Sequence, residues 1–380
     1  MSGDTASSGP ATYPTATAGP VLVIGTGLLG ASIGMALHGA GVEVLLDDAS
    51  RMTARLAQDL GAGRLRAPDD VPALVVVAAP PDITADLVAG ALERYPDAVV
   101  TDVASVKENV LHGVRLLGGD LARYVGSHPM AGSERSGPTA ARPDLFTGRP
   151  WVVVANEATR PDAVLAVRTL VTDLGAVPVQ LDAAAHDRAV ALVSHVPQVA
   201  ASLVAARLRD APDVALELAG QGLRDTTRIA AGDPRLWTGI LSENAAAVVP
   251  VLEALRGDLD RVIAALSQAV ADEASGRGAG QGVLGTIAGA IAAGNAGVAR
   301  IPGKHGGART EYDVVTVVVP DQPGELARLL GDIGGAEINL EDLVIDHAPR
   351  QRVGLAAVSV LRGVGAALEA ALTARGWRVV

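Results

Sequence analysis

Val21-Leu22-Val23-Ile24-Gly25-Thr26-Gly27-Leu28-Leu29-Gly30 sets a short apolar, mostly β-branched run against three glycines spaced G-x-G-x-x-G, followed by small residues through Ala36. Each glycine has a mechanical reason to be there. Gly25 permits the tight turn, Gly27 lets a pyrophosphate approach the backbone, and Gly30 allows a helix to pack closely on the strand. Thr26, Leu28 and Leu29 complete the turn, and the helix N-terminus faces the phosphate charge. The next strand, Val42–Leu46, is followed by Asp47 and Asp48. A carboxylate there accepts hydrogen bonds from the adenosine ribose and repels a 2′-phosphate, so NAD is expected over NADP. Asp48 is the preferred ligand, with Asp47 beside it. Ala79 and Pro80, ending the following strand, belong to the same carboxyl edge.

From that turn outward, short β-branched runs (Val21–Ile24, Val42–Leu46, Leu74–Ala79, Ala98–Thr101, Trp151–Val154) alternate with segments of helical length. The alternation predicts an α/β domain over residues 20–182, a Rossmann-type doubly wound parallel sheet. Residues 1–19 are rich in Pro, Gly, Ser and Thr, have no Lys or Arg and no apolar run, and read as a disordered lead-in. With no leader legible there, a cytoplasmic location is the expectation. From 183 to 300 strand signals give way to Ala/Leu/Val-rich stretches with helical spacing, such as Ala189–Leu208 and Leu236–Ala271. Residues 283–299 come nearest to a membrane span but contain Asn295 and few large apolar residues, so a tightly packed helix is expected. Residues 301–310 (IPGKHGGART) form a linker. Residues 311–380 then follow the order βαββαβ, a ferredoxin-like plan.

The chain has 380 residues, enough for two or three domains, and no cysteine, which excludes disulfides, thiolate metal sites and cysteine nucleophiles. Its 31 Lys and Arg against 42 Asp and Glu leave a net charge of −11, which argues against nucleic acid and anionic membrane as partners. Any anion site is therefore local. His128, followed by Pro129 just past a predicted strand (Tyr124–Gly126), is positioned as a general base at the carboxyl edge of the sheet. Arg224 and Arg228 stand at i and i+4 on one helical face. Their mutual repulsion is reversed by a bound carboxylate, which guanidinium forks grip bidentately. Trp237 follows nine residues later, near the same face if the Asp233-Pro234 turn allows it. His186 and His195 have no metal-ligand spacing, and no metal is expected.

Five stretches in order, GTGLLGAS (25–32), TDVASVKE (101–108), SHPMAGSERSG (127–137), SHVPQ (194–198) and LRDTTRIAAGDPRLW (223–237), resemble the prephenate/arogenate (cyclohexadienyl) dehydrogenase family of tyrosine biosynthesis. The resemblance implies NAD-dependent oxidation of a cyclohexadienyl carbinol with loss of the ring carboxylate as CO2. It further implies His128 as proton acceptor and Ser105 holding the 4-hydroxyl or the nicotinamide. Arg228 would bind a substrate carboxylate, His195 and Arg224 would line the pocket, Glu134 would order its mouth, and Trp237 would form a wall. The helical part would build a homodimer. PDQPGELARLL (320–330) and EINLEDL (337–343) resemble an ACT domain, implying an aromatic amino-acid effector near Asp321, Gly324 and Asn339.

The sequence departs from the family pattern at Arg224 (often Lys), Ala104 (commonly Gly) and Gln198 (often His). Both prephenate and arogenate therefore remain open as substrate, with prephenate favoured. A hydroxy-acid dehydrogenase using a catalytic Lys fits poorly, because Lys occurs only at 107 and 304. A non-catalytic amino-acid sensor on a nucleotide-binding fold is the alternative of a different class.

Overall fold

The structure, a computed structural model, describes residues 15–132, 137–302, 311–347 and 353–380. Most of the lead-in, Glu134 and most of the linker thus lie outside the described residues. The chain divides into two compact units, residues 1–203 with 229–253, and residues 204–228 with 254–380.

The first unit is built on an eight-stranded sheet of β1 (Val21–Ile24), β2 (Val44–Asp47), β3 (Arg64–Leu65), β4 (Leu74–Val77), β5 (Val99–Asp102), β6 (Tyr124–Pro129), β7 (Pro150–Val154) and β8 (Val177–Gln180). Their order is β3-β2-β1-β4-β5-β6-β7-β8. Helices α1 (Leu28–Gly39), α2 (Arg51–Asp59), α3 (Pro81–Arg94), α4 (Glu108–Leu116) and α5 (Pro161–Asp173) provide the connections. Successive strand residues serve opposite layers, as the pleat requires. Val21 and Val23 join the cluster with Ile33, Leu37 and Val167, whereas Leu22 joins Val88, Leu92 and Val110. A sheet buried on both faces explains why its strands read as unbroken apolar runs.

The sheet is not wholly parallel, which corrects the sequence expectation. β7 runs antiparallel to β6, pairing His128 with Val152 and Pro129 with Trp151. Between them the described chain has only one short 3₁₀ turn, Pro138–Ala140. Without a crossover helix the chain returns antiparallel. His128 consequently lies within a strand rather than in a loop beyond it.

After the sheet, α6 (Ala183–Val190), a π-helical turn (Ala191–His195) and α7 (Val196–Ala206) run on as one helical stretch. Further helices are α8 (Asp213–Leu216), α9 (Gln221–Thr227), α10 (Pro234–Glu243), α11 (Ala245–Ala274) and α12 (Gln281–Ala299). The expected continuous stretch through 236–271 is broken at Asn244, where α10 and α11 meet at 96°. α12 forms as expected but is not tightly packed within the chain: Val283 is its one buried residue, and Leu284, Ile291 and Val298 are exposed. Residues 183–206 and 281–299 are long and apolar enough to cross a membrane by length and composition. The former carries His186, Asp187 and His195, all buried within the protein.

The second unit ends in β9 (Tyr312–Pro320), α13 (Glu325–Gly334), β10 (Asp342–His347), β11 (Val353–Leu361), α14 (Gly365–Ala374) and β12 (Arg378–Val379). The strands form an antiparallel sheet in the order β10-β11-β9-β12. Val317, Val358, Leu329, Leu368 and Trp377 form its core.

Candidate active site

The turn from β1 into α1 has the geometry of a phosphate cradle. Gly25 has φ +93°, and a Cβ there would lie 2.3 Å from the Ala78 carbonyl oxygen. A Cβ on Gly30 would lie 1.9 Å from the Gly25 oxygen, whereas one on Gly27 would meet nothing within 4 Å. Gly25 and Gly30 are thus glycines for packing, and Gly27 leaves an open approach to the backbone. No side chain caps α1 at Gly27, so its first N–H groups are not taken up by a capping side chain and can receive an anion. Thr26 is buried, while Leu28 and Leu29 are partly exposed beside it. Ala79, partly exposed, and Pro80, the exposed N-cap of α3, follow β4 on the same edge.

Asp48 stands one residue past β2 and braces this turn. Its Oδ2 accepts hydrogen bonds from the Thr26 N–H (2.7 Å) and hydroxyl (2.9 Å), and its Oδ1 from the Ser50 N–H (2.8 Å). Asp47 instead pairs with Arg66, its Oδ2 lying 3.0 Å from the guanidinium Nε.

β1, β4, β5 and β6 are parallel, so β6 ends at the same edge as the cradle. His128 is near that end, partly exposed, with its Nδ1 2.9 Å from Nε2 of His186. The His186 Nδ1 lies 2.7 Å from the Asp187 carboxylate. That carboxylate also accepts the Lys107 and Glu108 backbone N–H groups (2.9 and 2.8 Å) at the start of α4. Loss of water contact, then the nearby His186, Lys107 and His195, hold the His128 pKa well below the ordinary histidine value.

Beneath the same edge, Asp102 is fully buried. It accepts the Tyr124 hydroxyl at 2.7 Å and the Ala104 N–H at 2.9 Å, and pairs with the Lys107 ammonium. Burial lowers the Lys107 pKa against the opposing pull of Asp102, and burial raises that of Tyr124 well above its usual value. These bonds tie together the two ends of the turn in which Ser105, partly exposed, is held.

His195 is buried at the end of the π-helical turn, its ring edge-to-face with Trp237 at 6.1 Å. Trp237 sits in α10, which Asp233 starts afresh by capping the Arg235 N–H at 2.8 Å. The Asp233-Pro234 turn does not allow it to continue the helix of the arginines. Gly232 gives it room: a Cβ there would lie 2.4 Å from the indole Nε1. Gln198 is buried, with its amide 3.3 Å from the Ser202 hydroxyl.

The structure therefore brings His128 into one cluster with His186, Asp187 and Lys107, and sets His195 beside Trp237. In the second unit, Arg224 is in the last turn of α9 and Arg228 caps its C-terminus, both exposed. Gly324, with φ +91°, begins α13, Asp321 is exposed, and the Asn339 amide donates to Glu341 at 2.9 Å. Sequence reasoning missed His186, Asp187, Asn244 and the Asp102–Lys107 pair as parts of the site. The adjacent His186-Asp187 has no metal-ligand spacing, yet a carboxylate next to an imidazole is also an orienting pair.

Comparison with known proteins agrees with this layout. The nucleotide-binding domain profile of prephenate dehydrogenase matches residues 33–180, and its dimerization domain profile matches 182–275. Synechocystis arogenate dehydrogenase is 27% identical, with a TM-score of 0.56, covering 65% of this chain and 92% of its own. The fold is shared with A. aeolicus prephenate dehydrogenase, solved with hydroxyphenyl propionate and NAD+, at 24% identity and a TM-score of 0.62 over 73% of this chain and 97% of that one. NovF of Streptomyces niveus, named "Probable prephenate dehydrogenase", is 41% identical over 86% of this chain and 90% of its own length. Two family profiles that together span residues 33–275, and a relative 41% identical over 86% of this chain, show that the chain belongs to the prephenate dehydrogenase family.

Proposed function

We infer that this chain is an NAD-dependent prephenate dehydrogenase, converting prephenate to 4-hydroxyphenylpyruvate. The observation that carries the chemistry is the His128 imidazole at the same sheet edge as the β1–α1 cradle, in a chain of this family. The cradle residues fit a dinucleotide, whose nicotinamide supplies the hydride acceptor. Thr26, Gly27 and the α1 N-terminus would hold its pyrophosphate, and Asp48 its ribose.

The balance assigns His128 two duties. As hydride leaves C4 of the ring, His128 takes the 4-hydroxyl proton. The bond from C1 to its carboxylate then breaks, CO2 departs, and the electron pair enters the ring. The oxygen at C4 takes the proton back, so no net proton is released. Aromatisation drives the step, and the protein need only position and polarise. Ser105 would hold the 4-hydroxyl, and His195 and Trp237 would wall the pocket; Arg228 and Arg224 are the proposed carboxylate-binding pair, on their guanidinium chemistry alone.

The dimerization-domain match supports a homodimer, with a second copy covering the apolar helical faces. The βαββαβ order of the C-terminal sheet supports an ACT-type, ferredoxin-like unit that receives an aromatic amino acid near Gly324. The reading is tested by following nicotinamide reduction with prephenate and with arogenate, each with NAD and with NADP. Reduction with prephenate and NAD is expected; none with either substrate overturns it.

A further inference from the structure

Asp187 is an obligate acceptor. It is nearly fully buried, yet both its oxygens are satisfied by backbone N–H groups at the start of α4, where the helix dipole also favours an anion. A carboxylate in that position accepts the proton on His186 Nδ1. In neutral His186, itself without solvent exposure, Nε2 is then a bare lone pair. Among the described residues, the group offered to that lone pair, across 2.9 Å, is His128 Nδ1, which must carry a proton to make the bond. The two rings meet edge-on, at 71° between planes, as an N–H directed at an in-plane lone pair allows.

We propose that His186, locked by Asp187, is a positioning residue that fixes His128 as the Nδ1–H tautomer and so places its basic lone pair on Nε2. The inference rests on the reading of His128 as the base. It deepens that reading by naming which nitrogen acts and what holds it. Were His186 instead protonated on both nitrogens, it would donate to His128 Nδ1, the His128 proton would move to Nε2, and no base would face the substrate. The charged and titratable groups around the pair are Asp187 on α6, Lys107 ahead of α4, Asp102 on β5 and His195 from the π-helical turn. When His128 accepts the substrate proton, its Nδ1–H remains bonded to His186, and the Asp187 charge stabilises the imidazolium along that line. The arrangement has the logic of an acid-oriented histidine base with one extra ring inserted.

The test uses the full-length protein with ¹⁵N-labelled histidine. The chain has seven histidines, and the His128 signals are assigned by their loss in His128→Gln. Nitrogen shifts at neutral pH are expected to show His128 protonated on Nδ1, with conversion toward the Nε2–H form in His186→Leu. Kinetically, His186→Leu is expected to lower kcat about 100-fold or more, in the range of lost acid–base catalysis, with little change in KM for NAD. His186→Gln, whose amide oxygen can stand where Nε2 stood, should recover most of that loss. A His128 proton found on Nε2 in the wild type overturns the proposal. So does a folded His186→Leu enzyme with the wild-type kcat and pH profile. If the wild-type protein fails to oxidise prephenate, the functional reading fails while the tautomer measurement still decides this one.

Discussion

The side-chain amide of Asn244 bridges two elements, donating at 3.0 Å to Nδ1 of His195 and at 2.9 Å to the backbone oxygen of Asp187. With Nδ1 accepting, neutral His195 carries its proton on Nε2. Burial lowers its pKa from 6.5 to about 4. Between those values the unfolded chain binds a proton that the folded chain refuses, so this contribution to stability is intact above 6.5 and is lost as the pH falls toward 4. Thermal denaturation across that window should show Tm falling as the pH is lowered, and His195→Gln should reduce the slope. An identical slope in the variant would assign the acid lability to other groups.

His128→Asn is expected to lower kcat by about 10²–10⁴, the usual scale for a lost general base, with a smaller change in KM. Because the His128 pKa lies well below the ordinary histidine value, the base is unprotonated throughout the neutral range. The wild-type kcat/KM should therefore stay level as the pH is lowered through 6.5, and fall only in more acid solution. A break near 6.5 that disappears in the variant would contradict the electrostatic account of this pocket.

Asp48 and Asp47 should separate in cofactor kinetics. Asp48→Ser loosens the bonds to Thr26 as well as removing a ribose acceptor, so KM for NAD should rise and the preference over NADP should shrink. Asp47→Ser releases Arg66, whose guanidinium is then free to meet a 2′-phosphate. Improved kcat/KM with NADP is expected there, with NAD kinetics little changed. The reverse pattern would make Asp47 the ribose ligand.

Arg228→Ala should act chiefly on KM for the substrate, by about 10- to 100-fold, the worth of a charge-assisted hydrogen bond. Initial rates at saturating NAD measure it. Unaltered saturation by prephenate would place the carboxylate elsewhere.

Much of this was legible because local pattern and local chemistry coincide. The run from Val21 to Gly30 states a strand, a turn and a helix in ten residues, and the strand Val353–Leu361 falls where its alternation puts it. What stayed hidden depends on partners far along the chain. Strand periodicity is the same in either direction, so the pattern of β7 gave no sign of its antiparallel pairing; among the described residues of the β6–β7 connection the one helical segment is the short turn Pro138–Ala140. Asp187 lies 80 residues from the Lys107 N–H it accepts, and Asn244 lies 49 from His195. No spacing rule reaches across such distances. The break at Asn244 was likewise unreadable: neither Pro nor Gly stands there, and the Asn244 amide is engaged by partners 57 and 49 residues away in sequence.

Gly324 offers the corresponding test in the C-terminal unit. It adopts φ +91° at the start of α13, where no side chain caps the helix, and the first turn is available to a ligand carboxylate. An alanine there is strained by about 1–2 kcal/mol in the left-handed region. Relief of that strain would turn the loop away from the helix start and remove the proposed effector site. In the full-length enzyme, Gly324→Ala is therefore expected to keep kcat with prephenate while losing inhibition by tyrosine or a related aromatic amino acid. The same titration followed by tryptophan fluorescence has a local reporter in Trp377, which lies against Arg328 at 3.7 Å and donates to Asp332 at 2.8 Å. If inhibition persists unchanged in the variant, the amino acid competes at the histidine cluster instead, and the C-terminal sheet serves assembly rather than sensing.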